Sequence, residues 1–149
     1  MIFLSAFLSI AVLALPIGSF AAEQQNSDAD LVVSIKTTGG LCPYGDCSDE
    51  VKIFKNNSYL IIDGEGRKKS GRLDHGQLVA LIDVMEKTDF SVIKSQRFME
   101  QCPSNYDGAQ VVYHFYTLHG VEDVDSCQHQ IDENQPVFKT LSSSLEPIL

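Results

Sequence analysis

Residues 39–54 read Gly-Gly-Leu-Cys-Pro-Tyr-Gly-Asp-Cys-Ser-Asp-Glu-Val-Lys-Ile-Phe. Two cysteines, a proline and three glycines pass abruptly into an alternating pattern, with Val51 and Ile53 on one face and Lys52 and Phe54 on the other. Glycine adopts backbone angles closed to other residues and proline presets a turn, so the first half reads as a tight corner and the second as a strand. The expectation is a corner braced by cysteines that feeds a sheet.

Working outward, Leu31, Val33 and Ile35 alternate with less uniform neighbours and predict a first strand that ends at residues 37–40. On the other side, Lys55, Asn56, Asn57 and Ser58 suit a tight turn, and residues 59–62 form its return strand. Asp63, Gly64, Glu65 and Gly66 make another turn. Residues 67–72 then form a short polar strand near an edge, where charge discourages pairing with other molecules. The helix that follows is the strongest structural signal in the chain. Asp74 caps it, Gln77 is the reciprocal partner, and Leu73 and Leu78 make the hydrophobic staple. Leu78, Leu81, Ile82 and Met85 form one apolar stripe for the sheet, and the helix fades at residues 87–89. Phe90, Val92 and Ile93 predict a further short turn on the same core.

Residues 101–108 form a loop by composition, and residues 109–119 are the longest strand candidate. Val111, Tyr113, Phe115 and Thr117 share one face, and Val112, His114, Tyr116 and Leu118 the other, so the strand is expected to be central. Gly120 turns the chain, and residues 121–131 return as a strand carrying Cys127. Pro136 opens a terminal helix whose buried stripe is Phe138, Leu141, Leu145 and Ile148, with Ser142, Ser143 and Ser144 on its solvent face.

Residues 1–22 contain no charged side chain, and residues 2–16 are almost wholly apolar before Ser19, Phe20 and Ala21. This pattern predicts a secretory signal peptide over residues 1–21, with a retained membrane anchor as the alternative. Residues 22–30 are polar and acidic and predict a flexible leader, and residues 31–149 a single domain. No second apolar run of spanning length follows, so no stable membrane insertion is expected after cleavage. The expected location is secreted or periplasmic. The net charge of −9 repels nucleic-acid phosphates and anionic headgroups, which argues against nucleic acid as a partner. The one basic cluster, Arg67, Lys68, Lys69 and Arg72, lies among acidic residues and reads as a solvated strand and turn.

Four cysteines in an exported chain predict two disulfides. Cys42 with Cys47 and Cys102 with Cys127 is the preferred pairing, because the first two stand at the ends of a Pro/Gly turn. A crossed pairing stays open. The fold class expected is α+β: one antiparallel sheet of about five or six strands with two helices packed on one face.

The order of marks resembles an uncharacterised family of small exported bacterial domains. The marks are Gly-Gly-x-Cys-Pro-x-Gly-x-Cys at residues 39–47, Thr88, Asp89 and Phe90 after the helix, Cys102 and Pro103, Tyr106, Asp107 and Gly108, and Cys127 before Ile131 and Asp132. The resemblance covers most of residues 31–145 and implies secretion, paired cysteines and an α+β fold. It implies no catalytic residue.

Candidate chemistry is sparse. A zinc or copper site would draw on Cys127, His114, His119 and His129, but Cys-x-His is not a zinc-finger spacing and exported cysteines oxidise. His114 reads instead as a strand residue facing a cross-strand partner. Four residues separate Cys42 from Cys47, and a strand follows where a thiol oxidoreductase has a helix. No serine elbow, phosphate loop or EF-hand is present in the sequence, and the acidic run Glu122, Asp123, Asp125 reads as a solvated turn. The sequence therefore predicts no cofactor, no metal site and no enzyme. It predicts a non-enzymatic module that binds or inhibits a protein partner through its cysteine loops, at Pro43, Tyr44, Asp46, Asn105, Tyr106 and Asp107. The competing expectations are a small hydrolase or metal-dependent enzyme near His114, His119 and His129, and a structural envelope protein.

Overall fold

The computed structural model describes residues 27–40 and 47–149. The predicted signal peptide and the Cys42–Cys47 pairing lie outside the described residues, as do Pro43, Tyr44 and Asp46. Among the described residues six strands form one sheet: β1 (Leu31–Gly39), β2 (Ser48–Phe54), β3 (Ser58–Ile62), β4 (Lys68–Arg72), β5 (Ala109–Thr117) and β6 (Gly120–Asp125). Their spatial order is β4-β3-β2-β1-β5-β6, and every neighbouring pair is antiparallel. β4 stands at an edge. Among the described residues three helices, α1 (His75–Lys87), α2 (Phe90–Ser95) and α3 (Pro136–Leu145), accompany the sheet, where the sequence predicted two and a turn. Among the described residues no helix is long and apolar enough to cross a membrane.

Local sequence sets most of these boundaries. Asn57 takes the left-handed angle φ 68° in the β2–β3 turn, and the neighbouring Asn56 Oδ1 accepts from Ser58 N at 3.0 Å. Asp74 accepts from the Gly76 and Gln77 amides, satisfying donors that the first turn of α1 leaves over; such a cap contributes about 1 kcal/mol. Leu73 and Leu78 are both buried at that end, as the staple requires. Asp89 caps α2 in the same way, and its hydrogen bonds from Ser91 hold its carboxyl below the usual carboxylate range.

The core lies on one face of the sheet. Val33, Ile53, Phe115 and Val124 are fully buried there beneath Leu81, Met85, Ile93, Val137 and Leu141. Phe115 packs on Phe90 with ring centres 5.0 Å apart and on Phe138 at 6.1 Å. Burial falls along each central strand: Val33 is 0 % exposed and Ile35 8 %, while Thr37, Val111 and Tyr113 are half-buried. The helices thus cover one end of this face and thin out toward the other.

Several expectations are corrected. The strand predicted over residues 121–131 ends at Asp125; Ser126–Gln128 turn the chain, Cys127 sits in that turn, and His129 bridges Arg97. Asp125 drives the turn by accepting from Cys127 N at 2.8 Å. β5 stops at Thr117, leaving Leu118 89 % exposed in the hairpin tip. Val92 faces solvent, and Ser144 is buried with its hydroxyl bonded to Thr140 O. Just before β1, Asp28–Asp30 form a 3-10 turn, and Lys55 N donates to Asp30 O at 2.8 Å.

Because Phe115 joins the strand layer to two helices, Phe115→Ala is expected to cost about 3–5 kcal/mol. Val92→Ala is expected to change stability by less than about 0.5 kcal/mol. Both are read from the midpoints of guanidinium unfolding.

Candidate functional site

β1 pairs with β2 on one side and with β5 on the other, with Thr38 opposite Ser48 and Gly39 opposite Ala109. The β1–β2 connection and the loop before β5 therefore emerge at the same end of the sheet. Gly39 N donates to Cys47 O at 2.8 Å and closes the first connection. In the second, Pro103–Asn105 form a 3-10 turn, and Pro103 O receives both Tyr106 N and Gly108 N at 3.0 Å. Two glycines bring these together. Gly39 has φ 97°, and a Cβ there would lie 2.6 Å from Gly108 O; a Cβ on Gly108 would lie 2.5 Å from the Pro103 ring. Larger residues at either position would push the loop off the strand.

The Cys102–Cys127 disulfide, with Cα atoms 5.0 Å apart, ties this loop to the turn after β6. Asp125 anchors the other side: besides Cys127 N, its carboxylate accepts from Gln110 Nε2 at 2.9 Å and Gln128 Nε2 at 3.1 Å. Of the residues predicted to bind a partner, Asn105, Tyr106 and Asp107 all lie exposed on this braced loop. Tyr106 is 66 % exposed, so a large aromatic surface is displayed, and its hydroxyl donates to Gln101 Oε1.

Beside the corner lies a feature that sequence reasoning missed. Where the helices thin out, a groove of about 760 Å³ opens between α3 and the sheet. Ile35, Thr37, Val111 and Tyr113 form its floor, Leu141 and Leu145 of α3 one wall, and Ile131, Glu133 and Asn134 another. Tyr113 is a half-buried polar group there. Its ring packs edge-on against Phe138 at 5.2 Å, and burial, followed by the nearby Glu133 carboxylate, raises its pKa above the ordinary tyrosine value. The volume lies within the range of ligand and peptide sites, and the lining mixes the apolar Ile35, Val111, Leu141 and Leu145 with the polar Glu133, Asn134, Lys139 and Ser142. The available signal was the alternation of β5, which places Val111 and Tyr113 together; where α3 stops is not written in that alternation.

The three histidines of the competing expectation are dispersed. His114 lies on the uncovered sheet face, His119 in the β5–β6 turn, and His129 beside Arg97 with a buried Nδ1 lacking a hydrogen bond. Among the described residues no three His, Cys, Asp or Glu side chains are grouped to hold a metal. His114 Nδ1 does meet Asp123 Oδ1 at 2.6 Å, and Ser34 stands opposite His114 on β1. That row carries the residue types of a hydrolytic triad. Ser34, however, is only 5 % exposed and forms no hydrogen bond to the imidazole, so the row presents no nucleophile to a substrate. The acidic run is divided between faces as well: Glu122 pairs with Lys94 at 2.6 Å on the helix side, and Asp123 with His114 on the other.

No family model matches the chain, and no curated protein is similar to it.

Two measurements check this geometry. Tyr113 is expected to ionise above the ordinary tyrosine value of about 10 in absorbance titration at 295 nm. Glu133→Gln is expected to lower that midpoint only part-way, because burial is the larger cause. A raised folded pKa contributes stability that is present below the unfolded value and lost as pH rises through the folded one. Replacing both Cys102 and Cys127 by alanine removes a bridge across a 25-residue separation, an expected loss of about 3.5 kcal/mol in unfolding experiments.

Proposed function

We propose that this chain is an exported, non-enzymatic binding module that holds a segment of a protein partner at the braced corner and in the groove beside it. The observation that carries the proposal is their adjacency: an open groove with an apolar floor shares one end of the sheet with a loop held by a disulfide, two glycine contacts and the Asp125 carboxylate. A fixed loop loses little conformational freedom on binding, which favours affinity and suits occlusion of an enzyme's site. In this reading Cys42 pairs with Cys47, giving the β1–β2 connection the same restraint, and Pro43, Tyr44 and Asp46 join Asn105, Tyr106 and Asp107 at the contact surface. The proposed location is periplasmic or extracellular. The resemblance to small exported bacterial domains supports the same reading through its paired cysteines.

Two experiments test it. Thiol titration of unreduced protein is expected to find no free thiol in the native or the denatured state; detectable thiols would remove the second brace. Capture from periplasmic and culture extracts is then compared among the wild type, Tyr106→Ala and Ser142→Trp, the last filling the groove from an exposed position of α3. Loss of the same partner in both variants is the expected result. Identical capture profiles in all three would overturn the proposed surface.

A further inference from the structure

The basic cluster at residues 67–72 and the acidic run at residues 122–125 are the two charged motifs of the sequence with no part in the groove, and the fold places them at opposite edges of one sheet. β4 ends the sheet on one side with Lys68, Lys69 and Arg72; β6 ends it on the other with Glu122, Asp123 and Asp125. Among the described residues no strand pairs outside either edge. Both strands therefore present backbone donors and acceptors that an added strand would satisfy.

Charge on an edge normally prevents such addition. Here it prevents β4 from meeting β4 and β6 from meeting β6, since like charges would face each other. It leaves the unlike edges free to meet. Direction agrees: with six strands alternating in direction, the first and last run antiparallel. A second copy moved across the sheet in the same orientation thus sets its β4 antiparallel to β6 of the first, with the helices of both copies on one side.

The side-chain rows agree too. On the uncovered face, one row of paired residues runs Lys68, Ile62, Glu50, Lys36, Val112, Asp125, and the next runs Ser70, Leu60, Lys52, Ser34, His114, Asp123. Continuing the rows sets Asp125 opposite Lys68 of the next copy, and Asp123 diagonally between its Lys68 and Arg72. Diagonal neighbours in a sheet lie about 7–8 Å apart, within reach of long side chains. Lys68 and Arg72 have no ion-pair partner among the described residues, and the Asp123 side chain is 64 % exposed despite its bond to His114. Val121, half-exposed on the same face, adds apolar contact.

We infer that copies of this chain associate head to tail, β4 of one adding to β6 of the next, through backbone pairing and opposite edge charges. Such a contact uses two different surfaces, so it extends into an open chain of copies unless its rotation closes a ring.

The test is sedimentation of protein recovered from cells expressing the full chain, across a dilution series. At low salt the mean mass is expected to rise with concentration beyond that of a dimer, and to return to the monomer's at about 1 M salt, where screening acts within about 3 Å. Lys68→Glu with Arg72→Glu makes both edges acidic, and Asp123→Lys with Asp125→Asn replaces the two negative side chains on the uncovered face of β6 by one positive one, beside a basic β4. Each variant alone is expected to remain monomeric, whereas their equimolar mixture recovers association, which also shows that both are folded. A wild type that stays monomeric at every concentration overturns the inference, as does association that survives either variant or a mixture that stays monomeric.

Discussion

Among the described residues only one face of the sheet is covered, and the rest of the fold follows from that. α1, α2 and α3 all pack on the side carrying Val33, Ile53 and Phe115, so the apolar side chains of three helices and of every strand but β4 form one continuous core. Burial of large apolar side chains is the main favourable contribution to such a fold, on the order of 1.5–3 kcal/mol for each when complete. The opposite face is held by polar and cross-strand contacts: Lys52 meets Glu50 at 3.3 Å, and His114 meets Asp123. Ser34 is buried there because it is small and stands between the longer Lys52 and His114 of the neighbouring strands.

The same one-sided layer accounts for the candidate site. Three helices are too few to cover six strands evenly, and coverage is densest over Phe115. Toward Thr37 and Val111 the strands run on beyond α3, and the groove is the uncovered remainder. The pairing of β1 with both β2 and β5 sends two connections out at that end, and close backbone approach at Gly39 and Gly108 packs the second against the sheet. Groove and corner are therefore consequences of one topology.

The acidity of the chain has a local meaning besides its long-range one. Asp49, Asp63, Asp74, Asp89, Asp125 and Asp132 each accept a hydrogen bond from a backbone amide at a turn or helix start. These carboxylates do for the chain what a preceding turn of helix or a neighbouring strand does elsewhere: they satisfy amides that would otherwise depend on water. Asp63 shows the effect most fully, since Arg67 donates to it through both side chain and backbone and holds its carboxyl below the usual range.

Much of the fold was legible in the sequence because its signals are local. The Asp74 cap, the Leu78, Leu81 and Met85 stripe, the turn at Asn57 and the proline opening α3 each act within a few residues, and each stands where the pattern placed it. The misplaced features depend on distant partners or on a single turn residue. β6 ends early because Asp125 turns the chain and His129 pairs with Arg97, a residue far back in sequence. Ser144 is buried although its composition suggested solvent, because α3 packs with α1 as well as with the sheet. For the site, the sequence by itself determined that residues 101–108 form a loop and that Tyr106 stands in it. Only the tertiary structure brought that loop onto Gly39, left the floor at Val111 and Tyr113 uncovered, and set basic and acidic strands at opposite edges. Those arrangements depend on strand order and on where helices stop, which arise from the packing of segments far apart along the chain.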